Sequence, residues 1–226
     1  MINKLKINQK KSLCFTATGS FVAAGLLAVI GFLTLRETKK RSLVLFASMP
    51  FLFALQQLSE GILWITIADK QYSTINSITT YAFLVFALVI WPLWVPLSLW
   101  LPEKNILRKK LLLLFIGYGF FGSIYSIYVL FYCGISSQVA SSSIRYNIFF
   151  GNSFRIKYDL FFYMISVIIP FFISSISLGN IMGTAIALSF VATYYFMNIN
   201  LISVWCFFSA LISVIILFIV QLEEKR

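Results

Sequence analysis

Residues 53–64 read Phe53-Ala54-Leu55-Gln56-Gln57-Leu58-Ser59-Glu60-Gly61-Ile62-Leu63-Trp64, two amides and a carboxylate set inside an otherwise apolar run. That run, residues 43–67, exceeds the about 20 apolar residues a helix needs to cross a bilayer. Glu60 lies about 12 Å from its nearer end at 1.5 Å per residue. Every other acidic residue falls at or beyond the end of an apolar segment. An ionisable group at such depth is expensive, so it calls for partners or for a task.

The rest of the chain agrees with a membrane setting. It is 60% hydrophobic and 11% charged, with a mean hydropathy of +0.92 over 226 residues, whereas soluble domains have roughly a quarter of their residues charged. Apolar runs at about 14–35, 43–67, 78–101, 111–133, 159–178, 180–197 and 200–222 predict an all-α polytopic membrane helix bundle of about seven transmembrane helices. They form one domain, residues 14–222, between a basic N-terminal tail, residues 1–13, and a short C-terminal tail, residues 223–226. Only Leu178-Gly179-Asn180 separates the fifth and sixth runs and Pro170 interrupts the fifth, so a re-entrant pair competes with two full spans there. The first run follows lysines as a signal peptide would, but its length favours a retained helix.

Seven spans put the termini on opposite sides, here called A for the N-terminal side and B for the other. Side B receives ten Lys and Arg residues; side A receives eight, four of them in the N-terminal tail. Without the tail the balance is ten to four, which places side B in the cytoplasm and the N-terminus outside. The same distribution explains the net charge of +11 as topology-setting, so no nucleic-acid partner is expected.

The absence of histidine removes His-based acid–base and triad chemistry and nearly all catalytic zinc sites. Cys14, Cys133 and Cys206 show no metal-ligand spacing. No catalytic residue, metal ligand or cofactor is assigned, and the balance leans away from an enzyme. Cys14 and Cys133 both reach side A, where a disulfide is geometrically open to them.

The candidate ligand-binding set centres on Glu60. Gln56 and Gln57 lie four and three residues before it, and Trp64 four after, on the same side of a helix. Thr16, Thr18 and Ser20 offer hydroxyls from the side A half of the first helix. Tyr128 and Tyr132, with Tyr125, form a stripe in the fourth. Ten of the eleven tyrosines fall in the side A half. Two readings stand: an asymmetric interfacial belt, or a polar cavity open toward side A with Glu60 as its floor. The connector at 134–158, Ser-rich and then aromatic and basic, reads as an interfacial segment or a lid over that cavity.

Gly117-Tyr118-Gly119-Phe120-Phe121-Gly122 matches G-x-G-x-x-G but lies within a spanning segment, so it reads as helix packing rather than dinucleotide binding. Gly179, Gly183 and Ala187 form a small-residue packing face. Pro92 and Pro96 should bend the third helix.

Cys14-Phe15-Thr16-Ala17-Thr18-Gly19-Ser20-Phe21, followed by Gln56-Gln57-x-x-Glu60-Gly61-x-x-Trp64, resembles an uncharacterised bacterial family of multi-pass membrane proteins. Its members begin near C-F-S-A-T-A-S-F and carry Q/H-Q-x-x-E-G-x-x-W in the second helix. Leu35-Arg36 and Pro50-Phe51-Leu52-Phe53-Ala54 are similar too, and the likeness covers about residues 14–66. This chain departs in Thr16, Gly19, Gln56 and a thirteen-residue extension. The resemblance implies the bacterial inner membrane and supplies no activity.

Three functions compete. One is a sensor or transporter binding a small molecule or lipid at Glu60, with membrane lipids as surroundings. Another is a membrane-embedded hydrolase, similar in helix count to ceramidase-like enzymes but lacking their histidines, with Glu60 as base. The third is a structural or assembly protein in which Glu60 joins helices. The oligomeric state is left open.

Overall fold

The computed structural model describes residues 16–140, 143–148, 153–197 and 201–226, with 70, 153–161 and 197 described in backbone only. The described residues form seven helical runs: α1 Ala17–Glu37, α2 Arg41–Thr66, α3 Ser73–Trp100, α4 Ile106–Tyr132, α5 Ser153–Ile173, α6 Gly179–Met197 and α7 Leu201–Lys225. Of these, α1, α2, α3, α4 and α7 are long and apolar enough to cross a membrane. The fold is therefore helical and membrane-like, as composition requires. Several helices outrun the apolar segments that announced them, and two of the helix starts carry side-chain caps. Thr16 accepts from the Gly19 N–H at 3.2 Å, and Asn105 accepts from the N–H groups of Leu107 and Arg108 at 3.0 and 3.1 Å.

The connector differs from expectation. Ile135–Ala140 (β1) and Ser143–Ile148 (β2) pair antiparallel, with Ile135 opposite Ile148 and Ala140 opposite Ser143. Helix α5 begins at Ser153, six residues before its expected start, and ends at Ile173 rather than 178. The reason is a period-two pattern: Ile144 is fully buried and Tyr146 nearly so, both turned into the bundle. The Ser137 hydroxyl ties the hairpin to α3, 2.9 Å from the Thr80 hydroxyl and donating to Asn76 Oδ1 at 3.1 Å.

Neighbours in sequence pack together: α1 on α2, α2 on α3, α3 on α4, α4 on α5, α5 on α6 and α6 on α7, while α7 returns to α1. Gly31 and Gly183 permit two of these approaches. A Cβ on Gly31 would lie 2.7 Å from the Phe51 backbone nitrogen, and one on Gly183 2.9 Å from the Phe171 Cβ. Helix α3 contains a π-turn over Phe86–Ile90 just before Pro92. Pro96 has no N–H to give the Pro92 carbonyl, and that carbonyl is covered instead by Gly119 of α4, whose hypothetical Cβ would stand 2.0 Å from it. One turn along, the Ser123 hydroxyl donates to the Val89 carbonyl at 2.6 Å. The irregular stretch of α3 is thus the seat of α4.

On side B, carboxylates close the bundle. Glu103 accepts from the Ser175 N–H at 2.7 Å and from the Ser175 hydroxyl and the Asn105 N–H at 2.9 Å each. Burial alone would raise its pKa, but these donors hold it below the ordinary carboxylate value. Glu223 accepts from the Ser177 N–H at 2.7 Å, and Glu224 from the N–H groups of Lys39 and Lys40 at 2.9 and 2.8 Å. The α5–α6 turn that Glu103 and Glu223 hold includes Leu178 at φ 57°, a left-handed geometry that costs a side-chain-bearing residue about 1–2 kcal/mol.

Candidate functional site

Helix α2 divides cleanly by face. Leu55, Leu58 and Ile65 are exposed, whereas Gln56, Gln57, Glu60, Gly61 and Leu63 are buried. Glu60 retains 2% of its exposure. Gly61 lets helix α1 close in, since a Cβ there would meet the Phe21 ring at 2.9 Å.

The hydroxyl that reaches the carboxylate comes from α7. Ser203 donates to Glu60 Oε1 at 2.5 Å. The Tyr146 hydroxyl, brought in by β2, lies beside the same carboxylate but falls short of a full hydrogen bond. Its ring stacks on Phe83 of α3 with centroids 4.8 Å apart. Gln56 turns toward α3, accepting from Trp91 Nε1 at 2.8 Å, while Trp91 stacks on Phe53 at 3.9 Å. Cys206, one turn after Ser203, lies against the Gln56 amide and within electrostatic reach of Glu60.

Several polar atoms in this region have no partner: both amide atoms of Gln57, Gln56 Nε2, Tyr146 Oη and Trp205 Nε1. Gln56 and Gln57 are fully buried. A buried polar atom without a partner forfeits about 1–3 kcal/mol, and such atoms usually mark a place for water or another molecule.

Next to the cluster is a cavity of about 400 Å³ between α3, α4, α5 and α7. Its wall is mostly apolar and includes Gly122, Tyr125, Tyr163, Trp205 and Cys206. Phe121 and Phe162 stand at its rim and are 71% and 51% exposed, so it opens sideways between α4 and α5. Cys206 lines it on one side and faces Gln56 and Glu60 on the other.

This differs from a polar cavity open toward side A. The β2 strand fills that approach with Ile144 and Tyr146, and the void lies to the side. Of the expected ligand-binding residues, Gln56, Gln57 and Glu60 share the buried face. Trp64 is half-buried at the edge of the side A core. Thr16 is engaged as the α1 cap, Thr18 is exposed, and Ser20 is buried without reaching the carboxylate. Tyr128 and Tyr132 are 56% and 77% exposed and stack on one another at 4.6 Å on the outer face of α4, as belt residues would. Cys14 lies outside the described residues, and Cys133 is a free thiol.

Ser203, Tyr146, Cys206, Trp91 and Trp205 were not anticipated. Ser203 and Cys206 sit at i and i+3 with Ala210 at i+7, a small-residue stripe visible in the sequence. Tyr146 is marked by the alternation Ile144, Tyr146, Ile148.

No curated protein and no solved structure matches the chain. One family profile does, described as "Family of unknown function (DUF6629)", over residues 13–226. The match takes in every helix and the whole Glu60 cluster, and the chain belongs to this family.

Proposed function

We propose that the protein is a seven-helix component of the bacterial inner membrane that binds an amphipathic small molecule or lipid as a sensor or transporter. Its N-terminus is outside and its C-terminus cytoplasmic. The polar end of the ligand meets the Glu60–Ser203–Tyr146 cluster and the Gln56 and Gln57 amides. Its apolar body lies in the 400 Å³ cavity, within the usual range for ligand sites of about 300–1,000 Å³. The observation that carries this reading is the set of buried, unpartnered polar atoms on the far side of Cys206 from an apolar void that opens between α4 and α5.

Gly122 offers a direct test. It lines the cavity, and a Cβ there would meet nothing within 4 Å. Gly122→Phe should fill the void while leaving the thermal midpoint of the ligand-free protein unchanged. Mass spectrometry of molecules extracted from the purified protein should then show loss of a species that the wild type carries near one per chain. Equal amounts in both proteins would refute the proposal.

One distance favours a second reading, a membrane-embedded hydrolase: the 2.5 Å contact that makes Glu60 a base for the Ser203 hydroxyl. In that case a fluorophosphonate should label Ser203 in the wild type and leave Glu60→Gln unlabelled. Absence of labelling in both would exclude it.

A further inference from the structure

We infer that the side B end of the bundle carries an anion site for a phosphate group, whether on a lipid headgroup or free in solution. This site is separate from the Glu60 cluster. A cavity of about 430 Å³ lies there, walled by the α1–α2, α3–α4 and α5–α6 connectors and the end of α7. Lys40, Lys104 and Arg226 bring three positive charges to its wall, and Glu103 and Glu223 two negative ones.

The carboxylates turn their oxygens to donors of the protein itself. Glu103 takes two donors from Ser175 and the Asn105 N–H, and Glu223 takes the Ser177 N–H and hydroxyl. Hydrogen bonds from neutral donors cancel no charge, so three cations against two acids leave the wall one positive charge in excess, with Arg226 3.6 Å from Glu223. The cations are differently placed. The Lys40 ammonium rests on the carbonyls of Glu223 and Glu224, which orient it without cancelling its charge. Arg108, outside the wall itself, donates to the Ser175 hydroxyl at 2.9 Å and acts electrostatically on Glu103. Among the described residues, Lys104 and the Ser42 hydroxyl have no hydrogen-bond or ion-pair partner, and both line the cavity.

A plain solvated face would scatter these charges on convex loops. Here four segments fold them around a concave space, with the oxygens of the acids already engaged by N–H and hydroxyl groups. A tetrahedral anion carrying several acceptor oxygens fits that mixture of ammonium, guanidinium and hydroxyl donors. Basic pockets at the helix ends are where anionic headgroups are recognised.

The test uses the full chain in nanodiscs. In pure phosphatidylcholine, inorganic phosphate is titrated against the thermal midpoint. In a second arm, phosphatidylglycerol is titrated into the disc. Saturable stabilisation is expected in at least one arm, and Lys104→Glu should raise the half-saturating concentration roughly tenfold or more. Lys104 is exposed and unpartnered, so this variant should fold as the wild type does. A response to phosphate identifies a free anion as sufficient, and a response to phosphatidylglycerol alone identifies the headgroup. Glu60→Gln should respond as the wild type, which separates this site from the proposed ligand pocket. No saturable response in either arm, or an undiminished one in Lys104→Glu, would overturn the inference.

Discussion

Gly119→Ala is expected to lower the thermal midpoint by on the order of 10 °C, while Gly117→Ala and Gly122→Ala leave it unchanged. The three glycines belong to one sequence motif, yet they occupy different surroundings. A Cβ on Gly117 or Gly122 meets nothing within 4 Å, whereas one on Gly119 would lie 2.0 Å from the Pro92 carbonyl oxygen and 2.7 Å from its carbon. Helix α4 would have to withdraw from α3 by about 1 Å to reach even the closest tolerated contact. The neighbouring 2.6 Å bond from Ser123 to the Val89 carbonyl would lengthen with it. The obstacle is backbone, so no rotamer change relieves it. Overpacking costs about 1–3 kcal/mol where side chains can yield, and more where they cannot. A loss of about 3 kcal/mol corresponds to roughly 10 °C in a chain of this length. Melting the three variants in one detergent checks the contrast. Equal midpoints for Gly119→Ala and Gly122→Ala would show that α4 does not need this approach. The carbonyl itself is exposed only because Pro96 cannot donate to it, so the position of Gly119 follows from that of a proline in another helix.

That link explains what the sequence made legible and what it did not. Apolar content and run length specify helices fit for a bilayer, because lipid demands internally satisfied backbone. The burial of Glu60 follows from the cost of an ionisable group so deep in an apolar segment. The identity of its partners does not. Ser203 is 143 residues away, and nothing local distinguishes it from the other serines of apolar helices. Tyr128 and Tyr132 illustrate a second limit. In water, a stripe at helical spacing points to the core; in lipid, both faces of a helix are apolar, so the stripe serves the outer surface equally well. The hairpin was hidden because β1 is Ser-rich and its partner is only six residues long. Its alternation becomes informative once Ile144 and Tyr146 are seen to fill the side A approach. On side B, Glu103, Glu223 and Glu224 looked like ordinary end-of-helix charges, and only the tertiary fold reveals them as caps on distant loops.

Glu60→Gln should keep the bundle folded and reduce the co-purifying amphipathic molecule about tenfold or more. The substitution preserves shape and leaves an oxygen to accept the Ser203 hydroxyl at its present 2.5 Å site. Its new N–H₂ can donate to the Tyr146 hydroxyl, which now lacks a full hydrogen bond. The fold therefore loses little. A ligand's polar group loses a charge-assisted hydrogen bond, worth about 1.5–3 kcal/mol, or roughly ten- to hundredfold in affinity. Glu60→Leu separates packing from recognition. It strands the Ser203 hydroxyl in a buried place, at about 1–3 kcal/mol, so it should destabilise the protein as well as empty the site. If Glu60 merely joins α2 to α7, the Gln variant should retain the same bound species in the same amount as the wild type, and only the Leu variant should differ. Melting curves and extracted-molecule counts on the three proteins distinguish these outcomes, because helix joining needs an oxygen at this position while recognition needs the carboxylate.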